Sequence, residues 1–249
     1  MQTTITPISA YTDNYIWLIQ QGSQAICIDP GQAAPVLVYL RAHGLTLAQI
    51  WITHAHADHT AGIAQLQQHF SGCPVYGAAD IPQASHIVNE GDSIVWQNHR
   101  ASVWHTAGHT ASHRCYLLDN QHLFTGDTLF SAGCGRVFPD SRPQWLYHSL
   151  QRIFRLPDAT QLYPAHEYTA ANLRFAAHIE PDNPHILAAQ QRAQTIPSLP
   201  VTLAHEKQIN PFLRVHLPAV QQRIRQLTQQ TYDSDEDYFV ALRELKNRF

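Results

Sequence analysis

Gln49-Ile50-Trp51-Ile52-Thr53-His54-Ala55-His56-Ala57-Asp58-His59-Thr60 runs an apolar stretch straight into three imidazoles and a carboxylate within six residues. A single histidine is more often a surface or packing residue, but four ligand-type groups at this spacing read as a metal site. If the strand continues through the loop, His54 and His56 face the same way and can close on one ion, while Asp58 and His59, past the turn, reach a second. Imidazole suits zinc and iron, and a carboxylate beside it hardens the site.

A two-ion site needs about eight donors, more than this loop offers, so other segments must contribute. Three qualify: Thr106-Ala107-Gly108-His109-Thr110 after the strand-like Ala101-Ser102-Val103-Trp104, Thr125-Gly126-Asp127-Thr128 after Leu123-Phe124, and Tyr163-Pro164-Ala165-His166-Glu167-Tyr168. Each puts a ligand-type residue at the end of a short apolar run, the arrangement in which a sheet edge holds converging loops. Of the 17 histidines, most of the rest, including His69, His86, His99, His178, His185 and His205, read as ordinary surface or packing residues.

The order His-x-His-x-Asp-His followed by a distant His, Asp and His resembles the metallo-β-lactamase superfamily of binuclear hydrolases. Within it the chain is similar to the glyoxalase II (hydroxyacylglutathione hydrolase) family along essentially its whole length. The stretches that carry this are Thr12-Asp13-Asn14-Tyr15, Thr53 to Thr60, Thr125-Gly126-Asp127-Thr128-Leu129-Phe130, Ala132-Gly133-Cys134-Gly135-Arg136, His166-Glu167-Tyr168-Thr169 and Asn210-Pro211-Phe212-Leu213-Arg214. The resemblance implies hydrolysis of S-(2-hydroxyacyl)glutathione, chiefly S-D-lactoylglutathione, to glutathione and D-lactate, a step of methylglyoxal detoxification. It also implies two divalent metal ions per chain, with zinc expected and iron or manganese as alternatives.

Carried onto this sequence, the family pattern gives His54, His56 and His109 to one ion, Asp58, His59 and His166 to the other, and Asp127 to both. Asp58 and Asp127 then count as catalytic residues, holding a hydroxide between the ions for attack on the thioester carbonyl. Asp29 and His113 are candidates to orient ligand imidazoles from behind. The glutathione contacts fall on Arg136, Tyr168, Arg243 and Lys246. Residues three apart share a helix face, so Arg243 and Lys246 are expected to grip one carboxylate. Where some relatives carry Lys and a following Tyr, this chain has Arg136 and Phe138, which keeps the charge and removes a hydroxyl.

Composition narrows the alternatives. Net charge is −3 with no Lys/Arg run, which argues against nucleic acid as a partner and against an RNA-processing nuclease of the same superfamily. A lactonase would share the metal loop but not the glutathione positions. A non-hydrolytic metal-binding protein of this fold would be expected to alter the intact His-x-His-x-Asp-His. No segment resembles a targeting peptide or spans a bilayer. Cys27, Cys73, Cys115 and Cys134 are scattered, as free thiols in a reducing compartment would be. A cytoplasmic monomer is the expectation.

Punctuation along the chain predicts strands at Tyr15–Ile19 and Ala25–Asp29, a helix from Ala33 to His43 ended by Gly44, and a helix Ala61–Phe70 fed directly by the metal loop. Further strands are expected near Val75, Ile94, Val103, Tyr116, Leu123 and Leu162, with an amphipathic helix Trp145–Phe154. That pattern gives two sheets covered by helices, which the resemblance names the α/β class αββα sandwich. After His166 strand-like alternation disappears, and helices are expected at Thr169–His178, Pro184–Gln194, Ala219–Gln230 and Asp235–Arg248. We therefore expect a metal-binding catalytic domain over 1–166 and a helical glutathione-binding domain over 167–249.

Overall fold

A computed structural model describes residues 3–249. Strands β1 (Thr4–Ala10), β2 (Asn14–Gln21) and β3 (Gln24–Ile28) form an antiparallel meander. Helix α1 (Ala33–Ala42) crosses to β4 (Thr46–Trp51), and helical segments α2 (Ala57–Thr60) and α3 (Ile63–His69) lead to β5 (Val75–Gly77) and β6 (His86–Ile87), all added in parallel. A second sheet takes β7 (Ser93–Trp96), β8 (His99–His105), β9 (Arg114–Leu118) and β10 (His122–Gly126), antiparallel throughout. The small hairpin β11 (Leu129–Phe130) and β12 (Gly133–Cys134) follows, then helix α4 (Pro143–Phe154), whose strand β13 (Gln161–Pro164) lies parallel to β10.

The remaining chain is mostly helical: α5 (Thr169–Ile179), α6 (Pro184–Arg192), α7 (Leu203–Ile209), the 3-10 turn Pro211–Leu213, α8 (Pro218–Thr228) and α9 (Asp235–Arg248). Before α7, the chain returns to the second sheet as β13's antiparallel edge partner, Val201–Thr202. None of the described helices is long and apolar enough to cross a membrane.

Period-two alternation sorts the side chains into layers. Trp17, Ile19, Ile26, Ile28 and Trp51 of the first sheet meet Val103, Tyr116, Leu118, Phe124 and Tyr163 of the second, and this is the core between the sheets. The intervening residues point outward. Ile16, Leu18, Cys27 and Ile50 pack under Val36 and Leu40 of α1 and Ile63 and Leu66 of α3. On the other side Cys115, Leu117, Leu123 and Leu162 pack under Leu146, Leu150 and Ile153 of α4, together with Phe212, Phe239 and Leu242 from the last part of the chain. The αββα sandwich is thus present, and the late helices complete the cover of its second sheet. All four cysteines are buried and unpaired.

Three local expectations are corrected. β4 ends at Trp51, so His54 and His56 lie in the loop beyond the strand, and loop geometry rather than pleat brings them together. The helix expected from Ala61 begins four residues earlier, so that Asp58 and His59 sit on α2, and it breaks at Ala61–Gly62. At the break the Gly62 N–H donates to the Pro30 carbonyl at 2.9 Å instead of to the preceding turn, an approach that a Cβ on residue 62, 2.5 Å from that oxygen, would block. Helix α7 and the Val201–Thr202 edge strand were not foreseen between the proline-rich joints.

Helix α7 carries one fully buried carboxylate, Glu206. Burial pushes its pKa from an ordinary 4.5 up to about 7, against the pull of hydrogen bonds from Ser131, the Ala132 N–H and Asn210. A carboxyl whose folded pKa is raised favours the protonated folded state, so its contribution is full below about pH 4.5 and declines as pH rises to about 7. Relative to a Glu206→Gln variant, the protein is expected to lose on the order of 3 kcal/mol across that window. Parallel denaturant titrations at pH 4.5 and 7.5 measure the difference, and identical pH slopes for the two proteins would contradict it.

Candidate metal centre

Strand ends from both sheets meet at one rim of the sandwich. β4 delivers the loop bearing His54 and His56 and then α2 with Asp58 and His59. β8, β10 and β13 deliver His109, Asp127 and His166. Hydrogen bonds lock these ends to one another: Arg114 N–H to the Thr53 carbonyl at 2.8 Å, Ala165 N–H to Gly126 at 3.1 Å, and Tyr15 N–H to Ala165 at 2.7 Å. Two glycines make the close approach possible. Gly126 has φ +49° and a Cβ there would lie 2.5 Å from Thr53 Oγ1, while one on Gly135 would lie 2.1 Å from the Asp127 carbonyl oxygen.

All seven expected ligands come together. His54 Nε2 lies 2.9 Å from His56 Nδ1, which lies 3.2 Å from His109 Nε2. On the other side Asp58 Oδ2 is 3.4 Å from both His59 Nε2 and His166 Nε2. Asp127 stands between, with Oδ2 3.5 Å from His109 Nε2 and Oδ1 3.4 Å from His166 Nε2 and 3.6 Å from His59 Nε2. Three overlapping groups could each hold a metal ion: His54, His56 and His109; His54, His59 and Asp127; Asp58, His59 and His166.

The donor chemistry fits a cation. His109 Nδ1–H donates to the Arg136 carbonyl at 2.7 Å and His166 Nδ1–H to Asp13 at 2.8 Å, which leaves the lone pairs of both Nε2 atoms facing the cluster. His59 Nε2 and Asp127 Oδ1 are buried, 3.6 Å apart and without a partner at hydrogen-bond geometry, so a cation between them would satisfy both. Tetrahedral zinc with ligand bonds of about 2.0–2.1 Å sets its donors about 3.4 Å apart, the scale of the separations here.

Electrostatics divides the two sides. Burial holds His54 well below the ordinary imidazole pKa, with His59 and His113 adding to the effect, and burial likewise lowers His109. These rings are neutral donors. Burial also opposes a charge on His59 and His166, but Asp127 and Asp29 outweigh it at His59, and Asp58 and Asp127 do so at His166, so both are raised. Asp58 is held far below the carboxylate range by His166 and His59.

Behind the donors, Asp29 accepts the Thr53 N–H and hydroxyl, both at 2.7 Å, and its Oδ2 lies 3.1 Å from His59 Nδ1. It therefore braces a ligand imidazole. His113 contacts the cluster differently: its Nε2 accepts the Asp127 N–H at 3.1 Å, and its ring stacks on the His54 imidazole at 5.0 Å. Asp13, in the turn between β1 and β2, and Asn14, the first residue of β2, carry no assigned role in the sequence reading. Asn14 Nδ2 donates to Asp58 Oδ2 at 3.0 Å. Their presence in the stretch Thr12–Tyr15 was the available signal.

A cavity of about 550 Å³ opens from the cluster, shared by His56, Asp58, His109, Asp127 and His166 with Arg136, Phe138, Tyr168, Arg243 and Lys246. Tyr168 stacks on His166 at 4.6 Å, and Phe138 covers His56 and His109 with ring centroids 4.5 and 5.0 Å away. Lys246 lies over the Phe175 and Phe249 rings, and burial lowers its pKa to about 8. Arg243 departs from the expected carboxylate grip. It is 6 % exposed, and its Nη1 donates to the carbonyls of Cys134 at 2.9 Å and Gly135 at 3.4 Å.

Residues 12–87 and 78–166 match the family model described as the metallo-beta-lactamase superfamily, and residues 167–249 match that for the hydroxyacylglutathione hydrolase C-terminus. A curated hydroxyacylglutathione hydrolase from Neisseria gonorrhoeae is 54 % identical over 98 % of this chain and 99 % of its own length. The chain belongs to the hydroxyacylglutathione hydrolase family. A member from Vibrio cholerae is 46 % identical, again over 98 % of this chain and 99 % of its own. Among solved structures, ETHE1 from Myxococcus xanthus superposes with a TM-score of 0.70 at 26 % identity, covering 99 % of this chain and 92 % of that one. With the family's metallo-β-lactamase fold and this His/Asp cluster, the protein binds divalent metal.

Removing the brace behind one ligand should weaken the site without touching the donors themselves. Asp13→Ala frees His166 Nδ1 and is expected to lower metal affinity about 10- to 100-fold, read by chelator competition. An affinity equal to that of the unaltered protein would show that Asp13 does not support the ligand.

Proposed function

We propose that the protein is a cytoplasmic, monomeric thioesterase that hydrolyses S-(2-hydroxyacyl)glutathione, chiefly S-D-lactoylglutathione, using two divalent ions, zinc in the first instance. The observation that carries this reading is that a donor cluster for cations and a cationic subsite share one cavity. His54, His56 and His109 would hold one ion, Asp58, His59 and His166 the other, and Asp127 both. Bound there, the ions supply Lewis acidity toward an acyl carbonyl and acidify water at the site to a pKa of about 7.

The chain's own groups do the rest. Asp29, Asp13 and the Arg136 carbonyl fix the rotation of His59, His166 and His109. His54, His109 and Asp58 are already in their binding protonation states near neutral pH, whereas His59 and His166, raised by their carboxylates, would give up a proton to a cation. Arg136, Arg243 and Lys246 set positive charge at one end of the cavity in a protein of net charge −3, which suits the two carboxylates of glutathione. Lys246, with a pKa of about 8, is mostly protonated at pH 7, and a substrate carboxylate would raise it further. Tyr168 offers a hydroxyl on the same wall, while Phe138 offers only an apolar face. Thiolate departure needs no acid, because its conjugate acid has a pKa near 8.5.

In this reading residues 1–166 form the catalytic domain and 167–249 the substrate-binding one. Purified protein given S-D-lactoylglutathione is expected to release glutathione and D-lactate, with elemental analysis near two metal ions per chain and Asp127→Ala losing both. Lys246→Ala should raise KM roughly 10- to 150-fold with kcat little changed, as for a charge-assisted contact made equally in ground and transition states. Activity with one ion per chain would overturn the binuclear assignment, and an unchanged KM would remove Lys246 from the substrate site.

A further inference from the structure

The hairpin β11–β12 joins Asp127 of the metal cluster to Arg136 of the cavity, and its tip is buried, with Ser131 1 % and Ala132 0 % exposed. A hairpin tip normally points into water. Here the backbone turns with Ala132 at φ +55°, a left-handed conformation that costs a non-glycine residue stability. What receives the tip comes from more than forty positions further along the chain. Glu206 accepts the Ser131 hydroxyl on Oε1 at 2.7 Å and the Ala132 N–H on Oε2 at 2.8 Å. Asn210, one turn along, donates to Glu206 Oε2 at 3.0 Å and to the Phe130 and Gly133 carbonyls at 3.2 and 3.0 Å. Asn172 donates to the Ser131 carbonyl at 3.0 Å, in a space that a Cβ on Gly133 would fill.

We propose that Glu206, seconded by Asn210, is a positioning residue for the reaction: it seats the tip of the 129–136 hairpin and thereby sets where Arg136 and the Cys134–Gly135 carbonyls, to which Arg243 is bound, stand relative to the metal ligands. The proposal rests on the glutathione thioester reading. Geometry makes the link short. Gly135 packs directly on Asp127 and His109, and the Arg136 carbonyl accepts from His109, so the strand that leaves the tip runs within three residues into the cluster and the cavity wall. The hairpin's tip is held by Glu206, through two hairpin donors to one fully buried carboxylate that Asn210 also supports. Loss of that acceptor strands the Ala132 N–H in the core and leaves the Ser131 hydroxyl without its partner, while Asn210 keeps only its bonds to the Phe130 and Gly133 carbonyls, and the tip must shift to find partners. The shift falls first on the part of the cavity wall that Phe130, Cys134 and Arg136 line.

Glu206→Gln keeps the shape of the seat. Its amide oxygen can take the Ala132 and Asn210 donors, and its NH2 can face Ser131, whose hydroxyl can turn to accept. Glu206→Ala removes all three contacts. With metal in excess and S-D-lactoylglutathione as the probe, Glu206→Ala is expected to raise KM at least about tenfold while kcat per metal-loaded chain stays within about threefold, and Glu206→Gln to remain within about threefold in both. A role confined to holding the fold would lower the amount of active protein and leave KM alone. A folded Glu206→Ala with unchanged KM, or one that loses kcat instead, overturns the proposal. Should Glu206→Ala not fold, the double variant Glu206→Gln with Ser131→Ala leaves the new amide unpaired, and it must raise KM several-fold where neither single change does, or the proposal fails. If the unaltered protein does not hydrolyse the thioester at all, the substrate reading has failed instead, a different result.

Discussion

Lone pairs are crowded around Asp127: ring nitrogens of His54, His56 and His109 within 3.2 Å steps on one side, and Asp58, His59 and His166 at 3.4 Å on the other. Neutral nitrogens repel one another at such distances unless a proton or a cation lies among them, and on the other side the carboxylates draw protons onto His59 and His166 that a cation must displace. The cluster therefore has to be imposed by something stiffer than the side chains. That something is the packing of two sheets through Trp17, Trp51, Tyr116 and Phe124, which leaves the ends of β4, β8, β10 and β13 no freedom to separate. Binding energy for a cation is then available without first paying to order the ligands. Placing the ligands just beyond strand ends, and the proposed substrate groups on the segment after β12 and on α9, lets one rigid frame serve both.

Much of this was legible in the sequence for a physical reason. Strands buried on both faces, between a second sheet and a helix layer, carry dense apolar runs with period-two sorting, and helices such as α4 and α9 carry their own periodicity. The His-x-His-x-Asp-His run is a local pattern whose members must be neighbours in space whatever the loop does. Less was legible where partners are distant. Asp13 meets His166 across 153 positions, and nothing local marks an aspartate in a turn as a brace. The i, i+3 spacing of Arg243 and Lys246 placed both on one helix face, but spacing carries no information about what that face meets. Arg243 meets hairpin carbonyls and Lys246 meets two aromatic rings. The strands of β11–β12, two residues each, are too short for alternation to register.

Glu206 is the clearest case of information absent from local sequence. In Leu203-Ala204-His205-Glu206-Lys207-Gln208 it sits among polar residues and reads as solvated, yet it is fully buried. The cost of burying a carboxyl is met only because the hairpin tip presents donors at the right place. The dependence runs in both directions, since the tip, with a left-handed alanine and an inward-facing N–H, is tenable only against an acceptor of that kind. Cover of the second sheet by Phe212, Phe239 and Leu242 brings α7 to that position. A helical segment whose apolar residues complete the sandwich thus also carries the polar group that completes the cavity wall, so packing and substrate geometry in this chain are not separable properties.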